Sequence, residues 1–130
     1  MTYLLDVDAL LALAHSAHVH HRRAEAWVRT LRRSDRLATC SITELGFVRI
    51  APQARLSPDV DGARSILRRL SSSRRPRFLR LPDDLGADSV PSWARTPAQT
   101  TDGHLVALAA GRSARLATFD TGIPGSLVIP

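Results

Sequence analysis

Asp6, Glu44, Asp102 and Asp120 each stand where an apolar run meets a change of chain direction. Asp6 ends Tyr3-Leu4-Leu5, Asp120 ends Leu116-Ala117-Thr118-Phe119, and Glu44 and Asp102 fall in the first turns of expected helices. Carboxylates gathered in one crevice repel one another and resist ionising together. A hard divalent cation resolves that conflict. With no Cys or His as evident co-ligand, Mg²⁺ or Mn²⁺ is the expected ion, and both suit phosphodiester hydrolysis. Each acid also has an ordinary local reading. Glu44 follows Ser41 by three residues, as in a capping box. Asp102 follows Thr100-Thr101 and can cap a helix, Asp120-Thr121-Gly122 reads as a turn, and Asp8 is expected to cap the first helix rather than bind an ion. Asp6 alone has no evident local duty. The joint placement of all four favours a shared cation.

The elements that must position them follow from periodicity. Tyr3 to Leu5 reads as a strand, and a helix follows from Asp8 to Ala14. Ala24, Trp27, Val28 and Leu31 recur at helical spacing between His20 and Arg33. Arg36 to Cys40 reads as a second strand, with a helix from Ser41 to about Ile50. Ser57-Pro58-Asp59 is a helix start, with Ser57 at the cap and a buried stripe of Val60, Ala63, Leu67 and Leu70. Arg77 to Leu81 is the third strand. Residues 82–98, interrupted by Pro82, Pro91 and Pro97, form a loop. A helix then opens at Thr100-Thr101-Asp102 and stops at Gly111, and short strands follow at Leu116 to Phe119 and Leu127 to Ile129. Strands alternating with helices predict one α/β domain over 1–130, with a mostly parallel twisted sheet of four or five strands and helices on both faces. Ligands of such sheets bind beyond the carboxyl ends of the strands, where the acids fall.

The 130 residues are 44% hydrophobic and 23% charged, which is globular composition. The longest apolar runs, Ala9 to Ala14 and Leu105 to Ala110, are too short to cross a bilayer. The start of the chain lacks a basic stretch and meets Asp6 at once, so no secretory signal is expected. The single cysteine, Cys40, excludes an internal disulfide and a CxxC site, and it is expected to be a small buried residue. A cytoplasmic protein is the expectation.

All 18 basic residues are arginine, and Lys and Asn are absent. That removes the Walker A phosphate loop and Schiff-base or pyridoxal chemistry, all of which need a lysine. The charge is uneven. Residues 49–80 carry nine Arg against two acids, whereas 81–130 carry three Arg against five. Arg64, Arg68 and Arg69 read either as a solvated helix face or, as a cluster, as a grip on the backbone phosphates of a polyanion. With six aromatic residues, mostly at core-like positions, a platform for stacking unpaired bases is not expected, and a partner gripped mainly by its backbone fits better. His15, His18, His20 and His21 lack zinc-site spacing and should cover a loop and a helix start. His104 is expected to be solvated on a helix.

Four segments together carry a family resemblance. Leu4-Leu5-Asp6-Val7-Asp8-Ala9-Leu10-Leu11-Ala12-Leu13 resembles the opening of a PIN domain. Thr39-Cys40-Ser41-Ile42-Thr43-Glu44-Leu45-Gly46-Phe47-Val48-Arg49 resembles its second motif, Thr101-Asp102-Gly103-His104-Leu105-Val106-Ala107-Leu108-Ala109 its third, and Leu116-Ala117-Thr118-Phe119-Asp120 its fourth. Order, spacing and length are similar to the VapC toxins of bacterial type II toxin–antitoxin modules. The resemblance implies a three-layer PIN-like fold and a Mg²⁺-dependent ribonuclease whose metal-binding quartet is Asp6, Glu44, Asp102 and Asp120. It implies that Thr118 helps to order the site, and it puts Asp8 where many relatives carry Asn. Gly103 stands at a position where Ala is commoner and is expected to be neutral. A homodimer and a VapB-type antitoxin are the implied partners. Asp6-Val7-Asp8 also resembles the first motif of haloacid-dehalogenase-type phosphatases, which would make Asp6 a nucleophile and Asp8 an acid–base. Those enzymes hold phosphate with a lysine, which is missing here. A nucleic-acid-binding module without catalysis leaves the four acids unexplained, and an inactive PIN-like scaffold is marked by loss of one of them, whereas all four are present.

Overall fold

The computed structural model describes residues 1–130. The chain runs β1 (Thr2–Leu5), α1 (Val7–Ala14), α2 (His21–Arg29), β2 (Arg36–Thr39), α3 (Ser41–Gln53), α4 (Val60–Ser71) and β3 (Arg77–Arg80). It continues through a 3₁₀ turn (Ala87–Ser89) to α5 (Pro97–Gly111), β4 (Ala114–Thr118) and β5 (Leu127–Val128). All neighbouring strands pair parallel, in the order β3-β2-β1-β4-β5.

The side-chain period of two divides the core between the faces of the sheet. Leu5, Leu37 and Ala117 join a cluster with Leu10, Phe47, Ala63 and Leu67 from α1, α3 and α4. Their strand neighbours Leu4, Ala38 and Leu116 join Leu105, Leu108 and Ala109 of α5. Three layers result, with α5 as the helix of the second cluster. The nearly all-apolar run of α5 is thereby explained: Leu105, Leu108 and Ala109 are buried. No helix is long and apolar enough to cross a membrane.

Chain order positions the functional crevice. From β1 the chain steps to β2 and β3 on one side, then returns to β4 on the other. The switch point lies between the carboxyl ends of β1 and β4, where ligand crevices form in such sheets. Asp6 continues the β1 ladder there, its N–H donating to Ala117 O at 3.2 Å.

Several helix starts differ from the expectation. Asp6, not Asp8, caps α1, its Oδ1 accepting the Ala9 N–H at 2.8 Å. Asp6 thus has the local duty that the sequence did not reveal. The box that opens α3 is built from Cys40 and Thr43 rather than Ser41 and Glu44. Asp59, not Ser57, caps α4. Helix α5 begins at Pro97 with Thr96 and Gln99 as its capping box, so Asp102 lies inside the helix and is not its cap. In each case a nearby polar residue satisfies the free N–H groups in place of the expected one.

Two glycines mark close approaches. A Cβ on Gly46 would lie 2.5 Å from Val7 Cγ2, so α1 and α3 meet at this point. Gly103 is not neutral either, because a Cβ there would lie 2.9 Å from Ala94 Cβ. The 90–94 loop rests directly on α5.

Candidate metal centre

Asp6 is held by two elements at once. Besides Ala9 N–H, its carboxylate accepts the Thr118 hydroxyl, Oγ1 to Oδ2, at 2.5 Å. The same Thr118 oxygen accepts the Asp120 N–H at 3.0 Å, and Asp120 Oδ1 accepts the Gly122 N–H at 2.7 Å. The end of β1, the end of β4 and the Asp120 turn are tied together through one fully buried hydroxyl.

The electrostatics of this edge are strained. Burial pushes Asp6 up from 3.8 to about 6; the hydrogen bonds from Thr118 and Ala9 oppose the rise, and the negative charges of Asp8 and Asp102 add to it. Asp102 is also raised, first by burial and then by Asp120. Asp6, Asp102 and Asp120 therefore form a chain of mutual repulsion at one end of the sheet. Asp8 lies beside it and pairs with His18 Nε2 at 2.9 Å.

Glu44 stands apart from this chain. Its Oε2 accepts from Arg80 Nε at 3.0 Å and its Oε1 from the Thr39 hydroxyl at 3.3 Å, while Arg80 also reaches Ser41 Oγ at 2.8 Å. As the side chains lie, no three of His, Cys, Asp or Glu converge closely enough to hold one ion. The donor set nevertheless suits a hard cation: all are carboxylates, two are raised by crowding and burial, and no arginine neutralises Asp6, Asp102 or Asp120. Arg80 fills that role for Glu44 alone.

The predicted phosphate-binding arginines divide. Arg64 and Arg68 line a groove of about 740 Å³ together with Glu44 and Arg80. Arg69 is exposed on α4 outside that groove. Sequence reasoning missed Arg80, whose only signal was its place at the carboxyl end of the third strand. His104 is not solvated as expected: its Nε2 lies 2.6 Å from Asp83 Oδ2, and both side chains are largely buried. This pair fastens the 82–96 loop to α5 next to Asp102. Cys40 is buried, as expected. His15 is also buried, stacked on Phe47, and is not part of a metal cluster.

A PIN domain profile matches residues 3–124. The chain belongs to the PIN domain family. It is 42% identical over 123 residues to Ribonuclease VapC38 of Mycobacterium tuberculosis, a match that covers 92% of this chain and 86% of that protein. It therefore joins the VapC group of PIN-domain ribonucleases. Among solved structures, VapC20 of Mycobacterium tuberculosis, a sarcin–ricin loop cleaving toxin, superposes with a TM-score of 0.68 at 15% identity, covering 98% of this chain and 99% of that one. VapBC2 of Rickettsia felis, solved with a DNA fragment from its promoter, gives 0.62 at 16% identity over 98% and 97%. These two likenesses concern the fold. The parallel sheet and three layers expected from the PIN-like motifs are what the structure has.

Proposed function

We propose that this PIN domain is a Mg²⁺- or Mn²⁺-dependent endoribonuclease toxin that cuts a structured RNA, a tRNA or ribosomal RNA, in the cytoplasm. A VapB-type antitoxin holds it in check, and it works as a homodimer. The observation that carries the reading is the series Asp6, Asp102 and Asp120 at the topological switch point, in which burial and the charge of Asp102 raise Asp6, burial and the charge of Asp120 raise Asp102, and no arginine intervenes. Acids in a groove oppose a phosphate backbone unless a cation intervenes.

Asp6, Asp102 and Asp120 would hold the ion, with Glu44 joining when Arg80 releases it. The ion would supply Lewis-acid polarisation of the scissile phosphodiester and of the attacking water. The chain's own residues do the positioning. Thr118 and Ala9 fix the Asp6 carboxylate from two sides. The Asp120 turn leaves Oδ2 of that residue free of protein partners. Arg64, Arg68 and Arg69 bind backbone phosphates. Asp8 adds negative charge at the rim. The identity to a protein named a ribonuclease supports the reaction class, and the VapBC2 likeness supports an antitoxin partner.

The test is cleavage of tRNA and ribosomal RNA by the purified chain with Mg²⁺, with EDTA, and by Asp6→Asn. EDTA should abolish cutting. Asp6→Asn should still bind RNA yet cut at least roughly 10²-fold more slowly. Undiminished cutting by Asp6→Asn would remove the carboxylate centre from the mechanism. RNA binding with no cutting by the wild type would favour a catalytically silent nucleic-acid-binding module.

A further inference from the structure

A second basic surface lies away from the carboxylates. Arg29, Arg32, Arg33, Arg74, Arg75 and Arg77 surround one pocket of about 300 Å³. Three come from the end of α2 and the turn after it, and three from the segment leading into β3. All six side chains belong to exposed residues. Arg29 pairs with Glu25 at 3.6 Å, and Asp35 accepts the backbone N–H of Arg32 at 2.7 Å, but no carboxylate lies within 4.0 Å of the guanidinium groups of the other five. Arg64 and Arg80, by contrast, each have an acidic partner. That every basic residue of the chain is arginine accounts for the residue type, but not for five guanidinium groups without ion pairs converging from two distant segments. The carbonyl end of α2 attracts Arg29, Arg32 and Arg33 but gives no reason for Arg74, Arg75 and Arg77. Like charges crowded without counter-charges weaken the folded chain and attract a polyanion.

Topology places this cluster opposite the site. In a parallel sheet the amino ends of the strands share one edge and the carboxyl ends the other. Arg77 opens β3 and Arg80 closes it, about 10 Å further along the strand. The surface between them is continuous. The groove holding Glu44, Arg68 and Arg80 shares Ser71 and Ser72 with a second groove, and that one shares Arg74 and Arg77 with the arginine pocket. A basic track therefore runs from Glu44 along α4 and the outer strand β3 to the far end of the sheet. No aromatic ring lines the arginine pocket, so it suits a sugar–phosphate backbone rather than stacked bases. The 10 Å of β3 corresponds to about three phosphates along one strand of a duplex.

We propose that these six arginines are a second phosphate-binding surface, which holds a base-paired arm of the RNA substrate while a phosphate elsewhere in the same molecule lies at the carboxylates. The assignment of RNA as its occupant rests on the ribonuclease reading; the phosphate chemistry does not. The surface sets substrate class: it favours an RNA with a helical arm reaching around β3 over a short unpaired strand.

Binding and cleavage test it separately. Fluorescence anisotropy of a labelled RNA hairpin with a one-turn stem, titrated across salt with the full chain, reads the surface without cleavage when EDTA is present. Replacing Arg74, Arg75 and Arg77 together with Gln should weaken hairpin binding by roughly 10- to 100-fold and flatten the slope of log K against log salt by about 2 to 3. Arg32→Gln with Arg33→Gln, in an exposed turn, should flatten it by about 1 to 2 and covers the case in which the triple variant fails to fold. In Mg²⁺, both variants should raise KM for the hairpin, leave kcat alone, and cut an unpaired tetranucleotide as the wild type does. Unchanged hairpin affinity and salt slope in both variants would overturn the proposal even if cleavage is robust. Weakened binding to a DNA duplex of equal length, with RNA binding intact, would overturn it in favour of a DNA-binding surface. A flattened slope in a chain that cuts no RNA would sustain the phosphate surface while ending the ribonuclease reading.

Discussion

Thr118 donates its hydroxyl proton to Asp6 at 2.5 Å although 112 residues separate them in the chain. The pairing of β1 with β4 makes this possible, with Leu5 opposite Ala117 in register. One hydroxyl orients the most perturbed acid of the site and, through the Asp120 N–H, the turn that carries another. The bond also favours the ionised form of Asp6 against the pull of burial.

Thr118→Val keeps the shape and removes that bond. The Asp6 carboxyl should then rise further, moving the acidic limb of the kcat/KM pH profile upward, and the Asp120 N–H loses its acceptor. A stability loss of about 1 to 3 kcal/mol is expected from the broken buried hydrogen bonds. Thr118→Ser should restore most of the pH profile. A profile that does not move in Thr118→Val would show that the hydroxyl serves packing alone.

Asp6 also makes the metal-free protein pH-sensitive in a stated direction. Its carboxyl titrates near 6 when folded and near 3.8 when not, so between these values the folded chain holds a proton that the unfolded chain has lost. Stability is present in full below pH 3.8 and falls as pH rises to about 6, by roughly 3 kcal/mol for this group. Asp6→Asn in EDTA should therefore melt higher than the wild type at pH 7.5, with the gap closing toward pH 4. One hydrogen bond is weakened by the amide, which trims the gain to about 1 to 2 kcal/mol. Excess Mg²⁺ should raise the wild-type melting temperature and leave that of the variant nearly unchanged. Parallel melting curves at every pH would show that Asp6 is not the strained acid of the site.

Arg80 holds Glu44 in an ion pair on a partly exposed surface, where such a bond is worth about 1 kcal/mol or less. Arg80→Gln should cost little stability and free Glu44. If Glu44 is the fourth ligand, the half-saturating Mg²⁺ concentration falls in this variant and not in the double variant Arg80→Gln/Glu44→Gln. Isothermal titration with Mg²⁺, without RNA, reads this directly. Equal Mg²⁺ affinity in wild type and Arg80→Gln would leave Glu44 outside the ion's shell.

At the contact of α1 with α3, Gly46→Ala forces a methyl group against Val7, the residue next to Asp6. Overpacking of this kind costs about 1 to 3 kcal/mol, against about 1 kcal/mol gained in helix propensity. A net loss near 1 kcal/mol and a drop in cleavage are expected. Adding Val7→Ala should relieve both. Additive losses in the double variant would place the defect elsewhere.

The sequence by itself determined the layering and the family. Alternation of Leu4 with Leu5 and of Leu37 with Ala38 requires two buried faces, and the four acid-bearing segments give the order of the motifs. Local patterns of this kind are legible because side-chain period and capping chemistry act over a few residues. Where two acids stand two residues apart, as Asp6 and Asp8 do, the local pattern does not choose between them, whereas Thr96-Pro97 with Gln99 is a local start signal that the Thr100-Thr101-Asp102 reading passed over. Only the tertiary structure joined Thr118 to Asp6, turned Glu44 toward Arg80, sealed His104 against Asp83 and brought Arg29 to Arg33 beside Arg74 to Arg77. These are contacts between segments tens of residues apart, and they depend on strand order. Composition and spacing carry no record of strand order, whereas the parallel sheet puts Asp6 and Asp120 beyond the carboxyl ends of β1 and β4 and Arg77 at the amino end of β3.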